Sequence, residues 1–356
     1  MPCSGHLATQ HALVRHCVEC GQQIGRRSES TGKRLPAAHH PATLTSYLGV
    51  VFAISEDGNL LCLDSELQLL ISPAVQIGDE VPNLYAGDGF LYMATSSGVQ
   101  CLDLITLLQA ESFNNVILTA DGPAGPITTS GDSAFCVISA DVCRFTGWTR
   151  QQKSLDVPLP GLRIKSTTLD TLIAPSVFAE YAFIAQCDDD KVLVIDLQKK
   201  KSPARVACNG TIVFGVPSKK GMALLVDGNE ERKLVSVNDS RTAAVIASLD
   251  RDITWIAESG EGRYLWGDGS RCFIQTGRGT RQLDVHGNVS AVRVCDGRGW
   301  ALLETASRCE ALLIELESAQ IQNAKPIGSG AFTDFVVCDG VLVASNGAEL
   351  RSVNLL

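Results

Sequence analysis

The sequence predicts an all-β protein, a β-propeller of eight four-stranded blades preceded by a small metal-stabilised module. Three observations support this prediction. Paired strand segments recur along most of the chain, and 32 glycines supply turns between them. Cysteines and a histidine within the first 25 residues stand at metal-ligand spacing. A ring of seven blades stays an alternative, because one of the weaker hairpins could be an insertion.

The repeat is clearest in GVVFAISEDGNLLCLD, from Gly49, and GFLYMATSSGVQCLD, from Gly89. Each has a glycine, an alternating apolar strand, a Ser/Asp/Gly turn and a second strand that ends in Cys-Leu-Asp. Weaker copies begin at Asp132, Glu180, Gly221, Gly262, Gly299 and Gly340. A period of about forty residues built from such hairpins is typical of propeller blades.

The other two strands of each blade are predicted from the segments around the hairpin. Short apolar segments precede the hairpins, as in NLYAGDG, TWIAESG, AVRVCDG and DFVVCDG, and we expect these to be the innermost strands around a central channel. Segments such as ELQLLIS, after the hairpin, should be outermost. The eighth unit ends after its third strand at Leu356. The segment before Gly49 is expected to supply the fourth strand and so remove an exposed edge.

The hairpin pattern resembles the repeats of pyrroloquinoline-quinone-type and WD40-type propellers over residues 43–356. Ser-x-Asp-Gly-x-Leu-x-x-Leu-Asp, from Ser55 to Asp64, is closest to the former. The Trp-Asp dipeptide of WD40 blades is absent. The Trp-rich docking pattern of quinone-binding enzymes is absent too, since the chain has four tryptophans: Trp148, Trp255, Trp266 and Trp300. The resemblance therefore implies the fold but not the quinone.

The chain opens with Cys3-Ser-Gly-His6 and, ten residues later, Cys17-Val-Glu-Cys20-Gly21. Each pair forms a knuckle, a tight turn that aims two ligands at one metal. Three thiolates and one imidazole make the closed tetrahedral set of structural zinc. We therefore predict a Zn²⁺ ion held by Cys3, His6, Cys17 and Cys20. Metal binding would supply the folding free energy of so small a module.

This segment resembles the short zinc ribbons found at the termini of bacterial proteins and in double-zinc-ribbon proteins. Their first knuckle is usually Cys-x-x-Cys, whereas His6 replaces the second cysteine here. His39 or His40 is a rival fourth ligand, although both lie in RRSESTGKRLPAAHHPA, which has linker composition. The predicted division is a zinc ribbon over residues 1–25, a basic linker over 26–42 and the propeller over 43–356.

Charge and cysteine usage limit the possible partners and compartments. Residues 1–42 hold five basic and two acidic side chains, which gives this segment a net charge of +3. The whole chain has a net charge of −9, so the remaining residues carry about −12. An acidic body argues against that body lying on DNA or on an anionic membrane. No apolar run approaches the roughly 18–20 residues that span a bilayer, which argues against membrane insertion. Thirteen cysteines without a recognisable export signal predict buried, reduced thiols and a cytoplasmic protein.

The residues that most often carry catalysis are scarce in the predicted propeller. Five of the six histidines precede it, so His286 is its one histidine and is expected in a loop. This argues against a Ser-His-Asp triad or a multi-histidine metal site. The run Cys187-Asp-Asp-Asp-Lys191 could hold Ca²⁺, but its position between two apolar segments favours a hairpin turn. No catalytic residue is predicted.

We expect a non-catalytic interaction scaffold or adaptor subunit, with the propeller as binding platform and the ribbon as accessory docking module. This architecture resembles the propeller components of bacterial systems that pair a MoxR-type ATPase with a von Willebrand A-domain protein, which implies a partner of either kind. Two alternatives stay open. One is a quinone- or glycan-related enzyme, marked by polar side chains that converge on one mouth of the channel. The other is a nucleic-acid-binding adaptor led by the ribbon.

Overall fold

The computed structural model describes the chain from Pro41 to Leu356 with short gaps. The residues that it does not describe are 1–40, 56–58, 71–74, 77–82, 88, 105–115, 120–121, 132, 150–151, 163, 165–170, 200–201, 259–261, 277–278, 296, 333 and 348. Within the described part, the strands form eight separate antiparallel sheets, which are the blades of a β-propeller. The predicted fold and the count of eight blades are confirmed, and the seven-bladed alternative is wrong.

The first four blades follow one another along the chain. Blade 1 comprises β1 (Pro41–Tyr47), β2 (Val50–Ser55), β3 (Asn59–Leu63) and β4 (Val75–Gln76). Blade 2 comprises β5 (Asn83–Gly87), β6 (Phe90–Thr95), β7 (Gly98–Asp103) and β8 (Val116–Thr119). Blade 3 comprises β9 (Thr128–Ser130), β10 (Ser133–Ile138), β11 (Arg144–Thr149) and β12 (Gln152–Pro158). Blade 4 comprises β13 (Ser176–Phe178), β14 (Tyr181–Ile184), β15 (Lys191–Asp196) and β16 (Ala204–Ala207).

The second half of the ring has the same order of strands. Blade 5 comprises β17 (Thr211–Ser218), β18 (Gly221–Asp227), β19 (Arg232–Asn238) and β20 (Ala243–Leu249). Blade 6 comprises β21 (Trp255–Glu258), β22 (Tyr264–Gly267), β23 (Cys272–Thr276) and β24 (Gly279–Leu283). Blade 7 comprises β25 (Asn288–Cys295), β26 (Arg298–Glu304), β27 (Cys309–Glu315) and β28 (Gln320–Gly328). Blade 8 comprises β29 (Asp334–Cys338), β30 (Val341–Ser345) and β31 (Leu350–Asn354).

The tight turns after the inner strands follow from local sequence. Leu48 and Gly49 join β1 to β2 with φ angles of 48° and 84°, and Asp339 and Gly340 join β29 to β30 with 53° and 75°. Positive φ at both central residues is the signature of a type I′ turn, whose twist matches that of the flanking strands. The Asp-Gly pair thus encodes the turn between the first two strands of blade 8.

The outermost strand of blade 1 is not where the sequence indicated. We expected it in ELQLLIS, but the strand is Val75–Gln76. The reason is Asp64, whose carboxylate accepts hydrogen bonds from the backbone N–H groups of Glu66 at 2.8 Å and Gln68 at 2.9 Å. This capping folds the start of ELQLLIS into a turn after β3.

Ring closure also differs from the prediction. Residues 41–47 pair with β2 and form the inner strand of blade 1, so they are not the fourth strand of blade 8. The segment before Gly49 was expected to supply that fourth strand. Its residues before Pro41 lie outside the described part of the chain. The two blades close the ring by packing face to face. A buried cluster combines Leu44, Val51 and Leu61 of blade 1 with Val336, Val343 and Leu350 of blade 8.

The core consists of such apolar layers between neighbouring blades, and the cysteines belong to it as predicted. Eight thiols are buried: Cys62, Cys101, Cys136, Cys143, Cys208, Cys272, Cys309 and Cys338. None of the described cysteines forms a disulfide. Burial raises the pKa of the Cys62 thiol to about 12, which keeps it protonated and unreactive. The described residues contain no helix that is long and apolar enough to span a membrane.

Candidate functional site: the central channel

The inner strands surround a central cavity of about 770 Å³. Six of the eight blades contribute to its wall, through β1, β5, β17, β21, β25 and β29. Pockets of about 300–1,000 Å³ are the size that holds small-molecule ligands. The segments NLYAGDG, TWIAESG, AVRVCDG and DFVVCDG were predicted to be innermost strands. They are innermost in their blades and line this cavity, so the prediction is confirmed.

The wall of the cavity presents polar and apolar atoms in about equal measure. Its larger apolar side chains include Leu84, Phe214, Val216, Ile256, Val292 and Val337. Tyr85, from blade 2, adds an aromatic ring with a hydroxyl group. Burial is the main cause that raises the pKa of Tyr85 to about 12, so the phenol is neutral.

Glu258 is the last residue of β21 and places a carboxylate in this wall. Its Oε2 atom accepts a hydrogen bond from the backbone N–H of Lys219, in blade 5, at 3.0 Å. Burial raises the pKa of Glu258, although hydrogen bonds from Ser218, Lys219 and Gly262 and the positive charge of Lys219 oppose that rise. Burial likewise raises the pKa of Tyr264, and the negative charge of Glu258 adds to the effect.

The other charged groups in the wall form a pair between blades 7 and 8. A guanidinium nitrogen of Arg293 lies 2.8 Å from Oδ1 of Asp334, and both side chains are about half exposed. The same Asp334 oxygen accepts the backbone N–H of Phe335 at 2.8 Å. Arg293 also lies over the ring of Phe335, 5.8 Å from its centroid. Arg293 and Asp334 therefore neutralise one another, while Glu258 accepts hydrogen bonds from N–H and O–H donors and lies near the positive charge of Lys219.

Further polar contacts fasten neighbouring inner strands to one another. Ser46 donates to the carbonyl oxygen of Val337 at 3.1 Å, across the junction of blades 1 and 8. Ser176 donates to the carbonyl oxygen of Ser218 at 3.3 Å, across blades 4 and 5. The Tyr47 hydroxyl accepts the N–H of Gly89 at 3.2 Å, which joins blades 1 and 2. These bonds join neighbouring blades around the cavity.

The predicted metal ligands Cys3, His6, Cys17 and Cys20 lie outside the described residues. The rival ligands His39 and His40 do so as well. From Pro41 onward, where the structure describes the chain, no group of three or more His, Cys, Asp or Glu side chains could hold a metal ion. The zinc site therefore stays a prediction.

The two other polar features singled out in the sequence are loop residues, as predicted. His286 lies between β24 and β25 with its side chain 87% exposed, 3.7 Å from the carboxylate of Asp284. The acidic run forms the turn between β14 and β15, where Asp188 has a φ of 64°. Lys191 binds Asp189 there at 3.0 Å. The run is thus a hairpin turn with its own internal ion pair.

Sequence reasoning did not single out Glu258, Arg293 or Asp334. Each is a charged residue within, or at one end of, an otherwise apolar inner-strand segment. This break in the apolar pattern is the feature by which the sequence could have indicated them. Their meeting in one cavity could not be predicted, because the partners come from different repeats. Lys219 and Glu258 are 39 residues apart in sequence, and Arg293 and Asp334 are 41 apart.

Comparisons with known proteins support the fold alone. No protein-family model and no curated protein matches the chain. Among solved structures, the computationally designed Ika8 protein is similar over 89% of this chain and 96% of its own, with 13% identity and a TM-score of 0.65. Dihydro-heme d1 dehydrogenase NirN in complex with DHE is similar over 94% and 82%, with 15% identity and a TM-score of 0.58. Streptogramin B lyase is similar over 79% and 96%, with 11% identity and a TM-score of 0.53.

Proposed function

We propose that this protein is a non-catalytic interaction scaffold or adaptor subunit of a multiprotein complex. The observation that carries the proposal is the point at which residues 1–40 join the propeller. They connect at Pro41, the first residue of an inner strand, and therefore at one end of the central channel. Whatever these residues bind is tethered to a rigid disc. Two binding elements on one frame can engage a partner more tightly than either alone.

In this proposal the first element is a zinc ribbon over residues 1–25, with structural Zn²⁺ on Cys3, His6, Cys17 and Cys20. The second is the propeller, whose fixed loops and outer strands form the platform. The partners are proteins of the cytoplasm. A MoxR-type ATPase and a von Willebrand A-domain protein are the first candidates, because the architecture resembles the propeller components of such systems.

The test is an affinity capture of the tagged full-length chain from its native host, with nuclease present, followed by mass spectrometry and zinc analysis. The informative variant is the full-length Cys17→Ser/Cys20→Ser chain. Cys187→Ser is the matched control, since Cys187 is half-buried in a turn far along the chain. We expect about one zinc per chain in the native protein and the control. The double variant should lose the zinc and at least one stoichiometric partner.

Two results would contradict the proposal. If the native chain captures no protein in fixed stoichiometry, the scaffold role is wrong. If the double variant keeps both its zinc and all its partners, the ribbon is not the docking element. Circular dichroism melting of each variant shows whether the propeller itself is intact, so that loss of a partner is not mistaken for unfolding.

A further inference from the structure

We propose that residues 31–35 form the outermost strand of blade 8 and pair with the outer edge of β31. In blades 1–7 the chain leaves the outer strand of one blade and passes to the inner strand of the next. Blade 8 is followed around the ring by blade 1, whose inner strand begins at Pro41. The residues directly before Pro41 therefore stand, in chain order, where the outer strand of blade 8 belongs. Among the described residues, β31 is paired on one side, with β30.

The spacing in the other blades identifies the residue that ends this strand. In blades 4–7 the first residue of the third strand pairs with the last residue of the outer strand, which precedes the next inner strand by four to six positions. The four pairs of positions are Ala207 before Thr211, Leu249 before Trp255, Leu283 before Asn288 and Gly328 before Asp334. Counted back from Pro41, the same interval covers residues 35–37. Leu35 is the large apolar residue among them, beside Pro36 and Ala37.

Blade 6 shows how such a strand packs. Its outer strand β24 reads Gly-Thr-Arg-Gln-Leu, and residues 31–35 read Thr-Gly-Lys-Arg-Leu, so both combine Gly and Thr with a basic residue and a terminal Leu. Leu283, at the end of β24, pairs with Cys272 and is buried in the layer between blades 6 and 7. Leu350 has the place of Cys272 in blade 8 and is buried in the layer between blades 8 and 1. Leu35, opposite Leu350, would add its side chain to that layer.

The charges on the two strands are compatible with this register. Arg34 lies opposite Arg351, a position in which like charges repel. The Arg351 guanidinium is offset by Glu349, whose Oε1 atom lies 3.0 Å from its Nε atom. The inference does not rest on the scaffold role, since it requires neither zinc nor a partner. It assigns part of the predicted linker to the propeller and attaches residues 1–30 at the rim of blade 8.

Hydrogen exchange of the full-length chain, read by mass spectrometry, measures whether the outer edge of β31 is paired. Two strands serve as references: β27, which has a strand on both sides, and β20, which is the outermost strand of blade 5. We expect the amides of β31 to exchange within about threefold of the rates of β27 and at least about tenfold more slowly than those of β20. Exchange of β31 as fast as that of β20 would overturn the proposal.

Leu35→Asp and Ala38→Asp are the matched pair of full-length variants, since both add one negative charge to the same segment. We expect Leu35→Asp to speed the exchange of β31 at least about tenfold, because a carboxylate cannot enter the apolar layer. Ala38→Asp should change it less than about twofold, and β27 should keep its rate in both variants. Equal effects of the two variants, or no effect of Leu35→Asp, would contradict the assigned strand. The comparison within the native chain decides the question if Leu35→Asp fails to fold.

Dilution distinguishes the chain's own segment from that of a second copy. If residues 31–35 of the same chain pair with β31, the protection of β31 is independent of protein concentration. If the segment comes from another copy, sedimentation shows a dimer, and the protection of β31 falls as the dimer dissociates on dilution. That result would overturn the assignment to the same chain.

Discussion

At the scale of single residues, Asp268 shows how a turn between blade strands is held. Its Oδ1 atom accepts the N–H groups of Ser270 at 2.6 Å and Arg271 at 2.7 Å, and its Oδ2 atom accepts Nε of Arg271 at 2.7 Å. Burial alone would raise the pKa of Asp268. The hydrogen bonds from Ser270 and Arg271 outweigh that effect and lower the pKa to about 2. The ionised carboxylate therefore stabilises the folded state.

We predict that Asp268→Asn lowers the free energy of unfolding by about 1–2 kcal/mol at neutral pH, because it replaces charge-assisted hydrogen bonds by neutral ones. The unfolded-state pKa of aspartate is about 3.9, above the folded value. The stabilisation is therefore complete above about pH 5 and is lost as the pH falls towards 2. Urea unfolding of the variant and the native chain between pH 7 and pH 3 measures this. A difference that stays constant over that range would contradict it.

At the scale of elements, the sequence predicts best those features that are encoded within a single repeat. The hairpins and the four inner strands named from the sequence were predicted correctly, since alternation and Gly-containing turns are local signals. The outer strand of blade 1 was misplaced because one side chain, Asp64, redirects the chain after β3. The charged groups of the cavity were not predicted, because Glu258 meets Lys219 only after two blades pack together. Contacts between repeats leave no periodic signal in the sequence.

The outer strand β20 is the element whose sequence looks least suited to its position. It lies at the rim of blade 5, where Val245 is 58% exposed and Ile246 is 39% exposed. A register shift in its pairing with β19, between Leu234 and Val235, interrupts the regular ladder at this point. Bulges of this kind twist an edge strand and hinder pairing with another chain. The bulge thus offsets the risk that the apolar side chains create.

We predict that Val245→Lys leaves the free energy of unfolding within about 0.5 kcal/mol of the native value and reduces self-association. The reason is that the side chain contributes little buried area and the added charge disfavours pairing between edges. Light scattering during heating, together with urea unfolding, provides both measurements. Val235→Lys, at a buried position of the neighbouring strand, is the contrasting variant and should be strongly destabilised. Unchanged aggregation of Val245→Lys would show that β20 is not the associating edge.

At the scale of the whole molecule, the proposed scaffold depends on a closed ring. An open array of repeats frays from its ends, because each terminal unit has one neighbour instead of two. Here blades 1 and 8 bury Leu61, Val343 and Leu350 against one another, and Ser46 binds Val337 across the same junction. The first and last blades are thus neighbours. The cavity wall and the attachment point at Pro41 are held by this contact.

Hydrogen exchange of the full-length chain, followed by mass spectrometry, tests ring closure most directly. It compares the amides of β2 and β30, in the first and last blades, with those of β18 in blade 5. We predict that all three strands exchange at similarly slow rates, through one global opening. Faster exchange of β2 and β30, by tenfold or more relative to β18, would show that the ring is open between blades 1 and 8. It would remove the structural basis of the scaffold proposal.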